Sequence, residues 1–180
     1  DNINKVYEYL KSRYSSGIVE ECINQHSEIS KIYQGAVNVV RVITICKNGT
    51  CNILTANLTI GNGGKIANAS LSDLVALVDV NTGELITICA DLNGNSYEYH
   101  PLTATKIRGF IIPYWNEIIH MLNSAAKKVP EVGYVGWDIA ITPDGPIIVE
   151  GNTTPGYKFF QLPELLSDHR GHRKIYQKYV

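Results

Sequence analysis

The sequence predicts an α+β fold in which helices flank an antiparallel sheet. Three observations support this prediction. β-Branched runs come in neighbouring pairs that short Gly- or Asn-containing turns connect, as in β-hairpins. Helical spacing of apolar residues is confined to the start of the chain, the stretch before Pro130 and the end, so helices do not alternate with strands. The chain has 180 residues, of which 44% are hydrophobic, and this is enough for one packed domain.

The predicted elements begin with a helix over residues 2–11, which Ser15-Ser16-Gly17 ends. A polar segment, 20–31, precedes the first long strand. Pro113 is expected in the first turn of the clearest helix, which ends before Pro130. From residue 162 onward we expect helical or irregular structure. The predicted strands are 18–19, 37–46, 51–60, 74–80, 85–91, 133–142 and 146–150.

The charge pattern excludes some classes of partner. The net charge is -1 and basic residues are scattered until the C-terminal end, so neither nucleic acid nor an anionic membrane is a predicted partner. No apolar run approaches the roughly 20 residues that cross a bilayer. The polar start, DNINKVYEYL, is unlike a signal peptide, and a cytoplasmic protein is therefore expected.

The four cysteines do not form a CxxC pair, so a zinc knuckle is not expected. Cys46 and Cys51 flank a predicted turn at Asn48-Gly49 and would face each other across a hairpin. That arrangement permits a disulfide. In a cytoplasmic protein the favoured interpretation is a pair of reduced thiols.

Three polar residues interrupt an apolar stretch, WDIAITPDGPIIVEGN, at residues 137–152. The sequence 143–145, Pro-Asp-Gly, predicts a three-residue hairpin turn, which places Asp138 opposite Glu150. Asn152 follows Glu150 by two residues and shares its face. Two carboxylates this close repel each other unless a proton or a cation lies between them. Oxygen ligands favour Mg²⁺, which completes its shell with water and substrate phosphates, so a Mg²⁺–nucleotide site is predicted.

A plainer interpretation of these residues is that Glu150 and Asn152 face solvent and that Asp138 caps a turn. The neighbouring residues argue against it, because the two strands are apolar enough to be buried on both faces.

Several stretches resemble the ATP-grasp superfamily, and the closest likeness is its sugar-transfer-associated branch. The most specific match is GYVGWDIAITPDGPIIVEGN at 133–152, because two segments and their spacing agree. The supporting matches are IVEECINQH (18–26), VNVVRVIT (37–44), IGNGGKIAN (60–68), VDVNTGEL (78–85) and HPLTATKIRGFIIPYW (100–115). The resemblance implies the C-terminal lobe of an ATP-grasp fold.

The resemblance also implies roles for single residues. Asp138, Glu150 and Asn152 match the magnesium-binding positions. Glu20, Glu21, Cys22 and Ile23 match the hinge whose backbone holds adenine. Arg41 would stabilise phosphate charge, although a structural ion pair with an acidic residue is a competing interpretation. Asn68 matches an asparagine near the acyl phosphate, with a turn residue as the alternative, and His100 would at most position substrate.

Some positions depart from the family pattern. Thr59, Ala67 and Ser72-Asp73 stand where the branch has arginine, aspartate and a pair of glycines, which puts the acceptor side in doubt. The lysine and glycine-rich loop of the upstream lobe are not recognisable before Ile18. We therefore expect residues 1–180 to form a single ATP-grasp-like domain without that nucleotide-binding lobe.

The predicted function is an ATP- and Mg²⁺-dependent ligase that joins a carboxylate to an amine through an acyl phosphate. The substrates would be a small-molecule or sugar-linked carboxylate and an amine acceptor, in surface polysaccharide modification. Two alternatives stay open: a nucleotide-binding module without catalysis, and kinase-like phosphorylation of a sugar or hydroxyl.

Overall fold

The structure is a computed structural model that describes residues 2–17, 20–47, 49–64, 67, 73–166 and 171–179. Among these residues the helices are α1 (Asn2–Arg13), α2 (Ser27–Ile32), α3 (Trp115–Ala126) and α4 (Arg173–Tyr176). The strands are β1 (Val39–Lys47), β2 (Thr50–Ile60), β3 (Leu74–Val78), β4 (Cys89–Ala90), β5 (Ser96–Tyr97), β6 (Tyr134–Thr142) and β7 (Gly145–Asn152). Two 3₁₀ turns, Lys158–Phe160 and Pro163–Leu165, lie between β7 and α4.

The strands form one seven-stranded sheet in the order β5-β4-β3-β2-β1-β6-β7. Each neighbouring pair is antiparallel. The predicted α+β class with an antiparallel sheet is therefore confirmed. None of the described helices is both long and apolar enough to cross a membrane.

One face of the sheet carries the main hydrophobic core. Side chains alternate between the two faces of a strand, so Val40 and Val42 point to this face while Arg41 points away. Helix α3 covers the face with Trp115 and Leu122, and α2 adds two isoleucines. Burial of these side chains stabilises the central strands by roughly 1.5–3 kcal/mol each.

The second face is covered in part by the C-terminal segment. Leu162 and Leu165 pack on Val75 and Leu77, and Phe160 packs on Ile43. The remaining part of this face, around the centre of β1 and β6, carries polar side chains. The described residues of the C-terminal segment form two 3₁₀ turns and the short helix α4, which agrees with the expected helical or irregular structure from residue 162 onward.

Several predicted elements need correction. The strand predicted over 85–91 is reduced to Cys89–Ala90. Leu85 forms only an isolated bridge with Val78 and otherwise bonds the 109–110 loop, and the N–H of Ile86 donates to Leu77 of β3 without extending the ladder. A short helix, α2, lies in the segment that looked only polar. Helix α3 begins at Trp115 after a residue in the left-handed conformation, so Pro113 precedes the helix instead of lying in its first turn. The strand predicted at 18–19 lies outside the described residues.

Cys46 and Cys51 face each other across β1 and β2, and their sulfurs form a disulfide. The favoured interpretation of reduced thiols was therefore wrong. The predicted cross-strand geometry was right, because the tight turn between Lys47 and Thr50 fixes the register.

Candidate functional site

The hairpin of β6 and β7 brings Asp138 opposite Glu150, as the sequence predicted, but by a different route. The turn is tighter than expected, since Thr142 pairs with Gly145 instead of Pro146. That register alone would put Val149 opposite Asp138. A β-bulge between Asp138 and Ile139 inserts one residue on β7 and returns Glu150 to the opposite position.

Four polar side chains lie beside one another on the second face, and we call them the polar row. Arg41 on β1 pairs with Asn57 on β2 and with Asp138 on β6, and Asp138 pairs with Glu150 on β7. Directly opposed residues in antiparallel strands have Cβ atoms about 5 Å apart. The polar row therefore crosses four adjacent strands as a continuous line of amide, cation and two carboxylates.

Arg41 and Asp138 form a two-pronged ion pair at the centre of the polar row. The guanidinium donates through Nε to Oδ1 of Asp138 and through Nη2 to Oδ2, the latter at 2.6 Å. The Arg41 side chain is 23% exposed and that of Asp138 is 11% exposed, so the pair is mostly shielded from water. Arg41 therefore forms the structural ion pair with an acidic residue that was the alternative to its predicted phosphate role.

Asn152 completes the outer end of the site. Its amide nitrogen donates to Oε1 of Glu150 at 2.8 Å, which leaves its Oδ1 as the atom that could ligate a cation. In the described part of the chain no group of three His, Cys, Asp or Glu side chains is placed to hold a metal. A cation here would have two carboxylates and an amide oxygen, which is a donor set that suits Mg²⁺.

The two carboxylates have opposite pKa shifts. Burial raises the pKa of Asp138, and Glu150 raises it further, while Arg41 opposes both effects. Hydrogen bonds from Asn152 and from Asp138 lower the pKa of Glu150. A proton shared by the pair would therefore reside on Asp138, the buried member.

The expected burial of both strands is correct for β6 and wrong for β7. Asp138 is 8% exposed, whereas Ile147 and Val149 are 41% and 49% exposed. β7 is the edge strand of the sheet, so its outer residues lack a neighbouring strand. Glu150 is exposed, which leaves the site open to ligands on this side.

Asn57 is the residue of this row that sequence reasoning missed. It is 1% exposed, and no described residue hydrogen-bonds its Oδ1. The signal was available, since an asparagine within the apolar strand ILTANLTI is as unusual as the arginine on β1.

His100 lies apart from the polar row and supports a loop. One ring nitrogen, Nε2, bonds the carbonyl of Gly61 at 2.9 Å, and Nδ1 accepts from the backbone of Leu102 at 3.3 Å. The ring also stacks on Tyr33. Because both nitrogens are engaged and burial lowers the pKa of His100, this residue is suited to hold the 61–64 loop as a neutral ring.

The predicted hinge, 20–23, is an extended segment in which Ile23 is half-buried and the other three residues are exposed. It leads to His26, whose backbone N–H bonds the carbonyl of Ile141 at 2.8 Å. Ile141 is three residues from Asp138 along β6, or about 10 Å. The C-terminal side of the segment is therefore attached to β6 about 10 Å along the strand from Asp138. Its role toward adenine stays a prediction.

The residues of the predicted acceptor side are described only in part. Asn68 and Ser72 lie outside the described residues. Thr59, Ala67 and Asp73 are all buried, at 7%, 6% and 1% exposure. Thr59 shares the face of Asn57 on β2, two residues farther along the strand.

A cleft of about 770 Å³ lies beside the polar row, between the second face and the C-terminal segment. Thr55 and Leu77 belong to its wall, and these residues neighbour Asn57 along and across the strands. Arg108 and Glu164 contribute charges to the lining. Asp138 and Glu150 do not line this cleft. They lie on β6 and β7, on the opposite side of β1 from the β2 and β3 residues of the cleft wall.

Comparison with known proteins places the chain in a family. Residues 5–170 match the family described as sugar-transfer associated ATP-grasp. The match covers most of the chain, and the protein belongs to this family. No curated protein matches the sequence. Membership agrees with the observed lobe and indicates an ATP-dependent enzyme of the ligase type.

Proposed function

We propose that this chain carries the metal- and phosphate-binding half of an ATP-dependent ligase that joins a carboxylate to an amine through an acyl phosphate. The observation that carries the proposal is the polar row with Asn152. It places two carboxylates, an amide and a guanidinium side by side on an open sheet face in a chain of this family.

The proposed roles rest on the positions of the described residues and, for Asn68, on the family resemblance alone. Asp138, Glu150 and Asn152 would hold Mg²⁺, which when bound neutralises charge on the nucleotide phosphates. Asp138 is shielded from water, and exposed Glu150 and half-buried Asn152 would supply the remaining oxygen ligands from the edge strand. Arg41 would stabilise negative charge on the transferred phosphoryl group. The backbone of residues 20–23 would contact adenine, and Asn68 would lie near the acyl phosphate.

The cleft next to the row would receive the acceptor substrate. Its volume is within the range of small-molecule sites, and its lining mixes apolar side chains such as Leu77 with the charged Arg108 and Glu164, which suits a ligand with both polar and apolar parts. We infer that a sugar-linked carboxylate or its amine partner binds there, in surface polysaccharide modification.

Calorimetric titration of Mg²⁺–ATP tests the metal assignment. Glu150→Gln keeps the size of the side chain and removes its charge, so binding that depends on Mg²⁺ should weaken at least tenfold. Glu117→Gln is the matched control, because Glu117 is also an exposed glutamate and lies on α3, which covers the opposite face of the sheet. Equal loss in both variants, or no loss in Glu150→Gln, would contradict the assignment.

A second candidate function is nucleotide binding without catalysis. The observation that favours it is the Arg41–Asp138 ion pair, which already satisfies the two central charges of the row. Release of ADP in the presence of candidate carboxylates and amines separates the two functions. Nucleotide binding without ADP release would support the binding module, and a phosphorylated product would indicate a kinase.

A further inference from the structure

The proposed metal ligands do not explain why Asn57 is buried in the polar row. Its side-chain oxygen is buried, and among the described residues it has no hydrogen-bond partner. An unpaired buried acceptor destabilises the folded state. The side chain lies on β2 directly across from Arg41, on the face that carries the polar row. A donor should therefore reach it in some state of the protein.

Arg41 is the donor best placed to do so. β1 lies between β2 and β6, so Arg41 has Asn57 on one side and Asp138 on the other, each about 5 Å away at Cβ. A rotation of the Arg41 side chain, without movement of the backbone, would carry the guanidinium from one neighbour to the other. A guanidinium has five N–H donors, and an amide oxygen accepts them well.

Binding of a divalent cation to Asp138 would favour movement of the Arg41 guanidinium from Asp138 to Asn57. In the structure both oxygens of Asp138 accept from Arg41. A cation bound to Asp138 would meet the positive guanidinium at close range, and the two charges would repel. Asn57 is neutral, so a guanidinium held there keeps its full charge available for a phosphate instead of being neutralised by Asp138.

We infer that Asn57 is a positioning residue that provides a second binding position for the Arg41 guanidinium, which Arg41 occupies when Asp138 binds a divalent cation. The inference rests on the proposed metal role of Asp138. It explains why the side-chain oxygen of Asn57 is unpaired while both oxygens of Asp138 accept from Arg41. It also explains why Asn57 and Asp138 lie on either side of Arg41.

The first test is a titration of MgCl₂ by calorimetry. Without the second position, Arg41 stays on Asp138 and competes with the cation, so Asn57→Leu should weaken Mg²⁺ binding about tenfold or more. The same change in an Arg41→Met background should have no effect. Thr44→Val is the matched control, because Thr44 is a buried polar residue of the same sheet that lies outside both the polar row and the cleft, and it should leave Mg²⁺ binding unchanged. Asn57→Ala replaces the leucine variant if that protein does not fold.

The second test needs no metal. In the wild-type background Asn57→Leu should leave the melting temperature unchanged or raise it, since it removes an unpaired acceptor. In an Asp138→Ala background, where Arg41 has lost its carboxylate, the same change should lower the melting temperature by about 3 °C or more. An equal effect in both backgrounds would overturn the inference.

The two tests distinguish failure of the inference about Asn57 from failure of the proposed metal site. Mg²⁺ binding that Glu150→Gln abolishes and Asn57→Leu leaves intact refutes the role of Asn57 and keeps the metal site. If the wild-type protein binds no Mg²⁺, the proposed site fails. The melting-temperature comparison without metal then decides alone whether the Arg41 guanidinium can bind the side chain of Asn57.

Discussion

Replacement of Arg41 by methionine would show how much the polar row depends on its central cation. Methionine keeps most of the length of the side chain but removes all five donors and leaves Asp138 without a counter-charge. Loss of one partner of a buried ion pair costs about 3–5 kcal/mol. The Arg41 side chain is 23% exposed, so water screens part of the lost interaction, and we expect about 2–3 kcal/mol. For a chain of this length that corresponds to a decrease in melting temperature of roughly 4–12 °C.

The loss of stability should also depend on pH. Arg41 is the described group that opposes the burial of Asp138, so the pKa of Asp138 should rise further in the variant. The folded variant then keeps its proton to a higher pH than the unfolded chain, where the aspartate has its ordinary value of 3.8. Stability therefore falls as pH rises from that value through the raised pKa. The difference from wild type should be smaller at acidic than at alkaline pH.

Chemical denaturation in EDTA at about pH 5 and pH 8 measures both effects. Arg108→Met is the control, because Arg108 is exposed, and its loss should be under about 0.5 kcal/mol. A loss that is the same at both pH values would refute the argument, since it would mean that the charge on Asp138 does not determine the cost.

Three further predictions concern regions outside the row. Burial lowers the pKa of His100 below 6.5, so stability should fall as pH drops below that value, and denaturation of His100→Asn should show a flatter dependence between pH 7.5 and 5.5. Iodoacetamide should modify exposed Cys22 in the native, unreduced protein and spare Cys89, because burial raises the pKa of Cys89 to about 12; mass spectrometry of peptides would detect a modified Cys89 if this is wrong. Gly83→Ala should destabilise the protein by about 3 kcal/mol or more, since its Cβ would lie 2.5 Å from the tryptophan that begins α3, whereas Gly49→Ala, which has the same positive φ but open space, should cost about 1 kcal/mol; equal melting temperatures would exclude the clash.

The sequence could predict those features that depend on near neighbours in the chain. The runs that became β1, β2, β6 and β7 were found within a few residues, because their β-branched residues and turn signals act locally. The disposition of Cys46 opposite Cys51 followed from a tight turn in the same way. The pairing of Asp138 with Glu150 was also predicted, although the tighter turn and the bulge behind it were not, since nothing local distinguishes a two-residue from a three-residue connection here.

Other features depend on strands that are distant in the sequence. That Arg41 pairs with Asp138 follows from β6 lying beside β1, and residues separated by 97 positions are brought together by the order of the strands. Asn57 became a candidate for the same reason, because its importance comes from its neighbour on β1 and from its burial. The amino-acid sequence by itself determined where the hairpins form, that Asp138 lies opposite Glu150, and which family the chain resembles. The tertiary structure decided which charges meet, because strand order is set by packing of the whole sheet on α3 and not by the residues of any one strand.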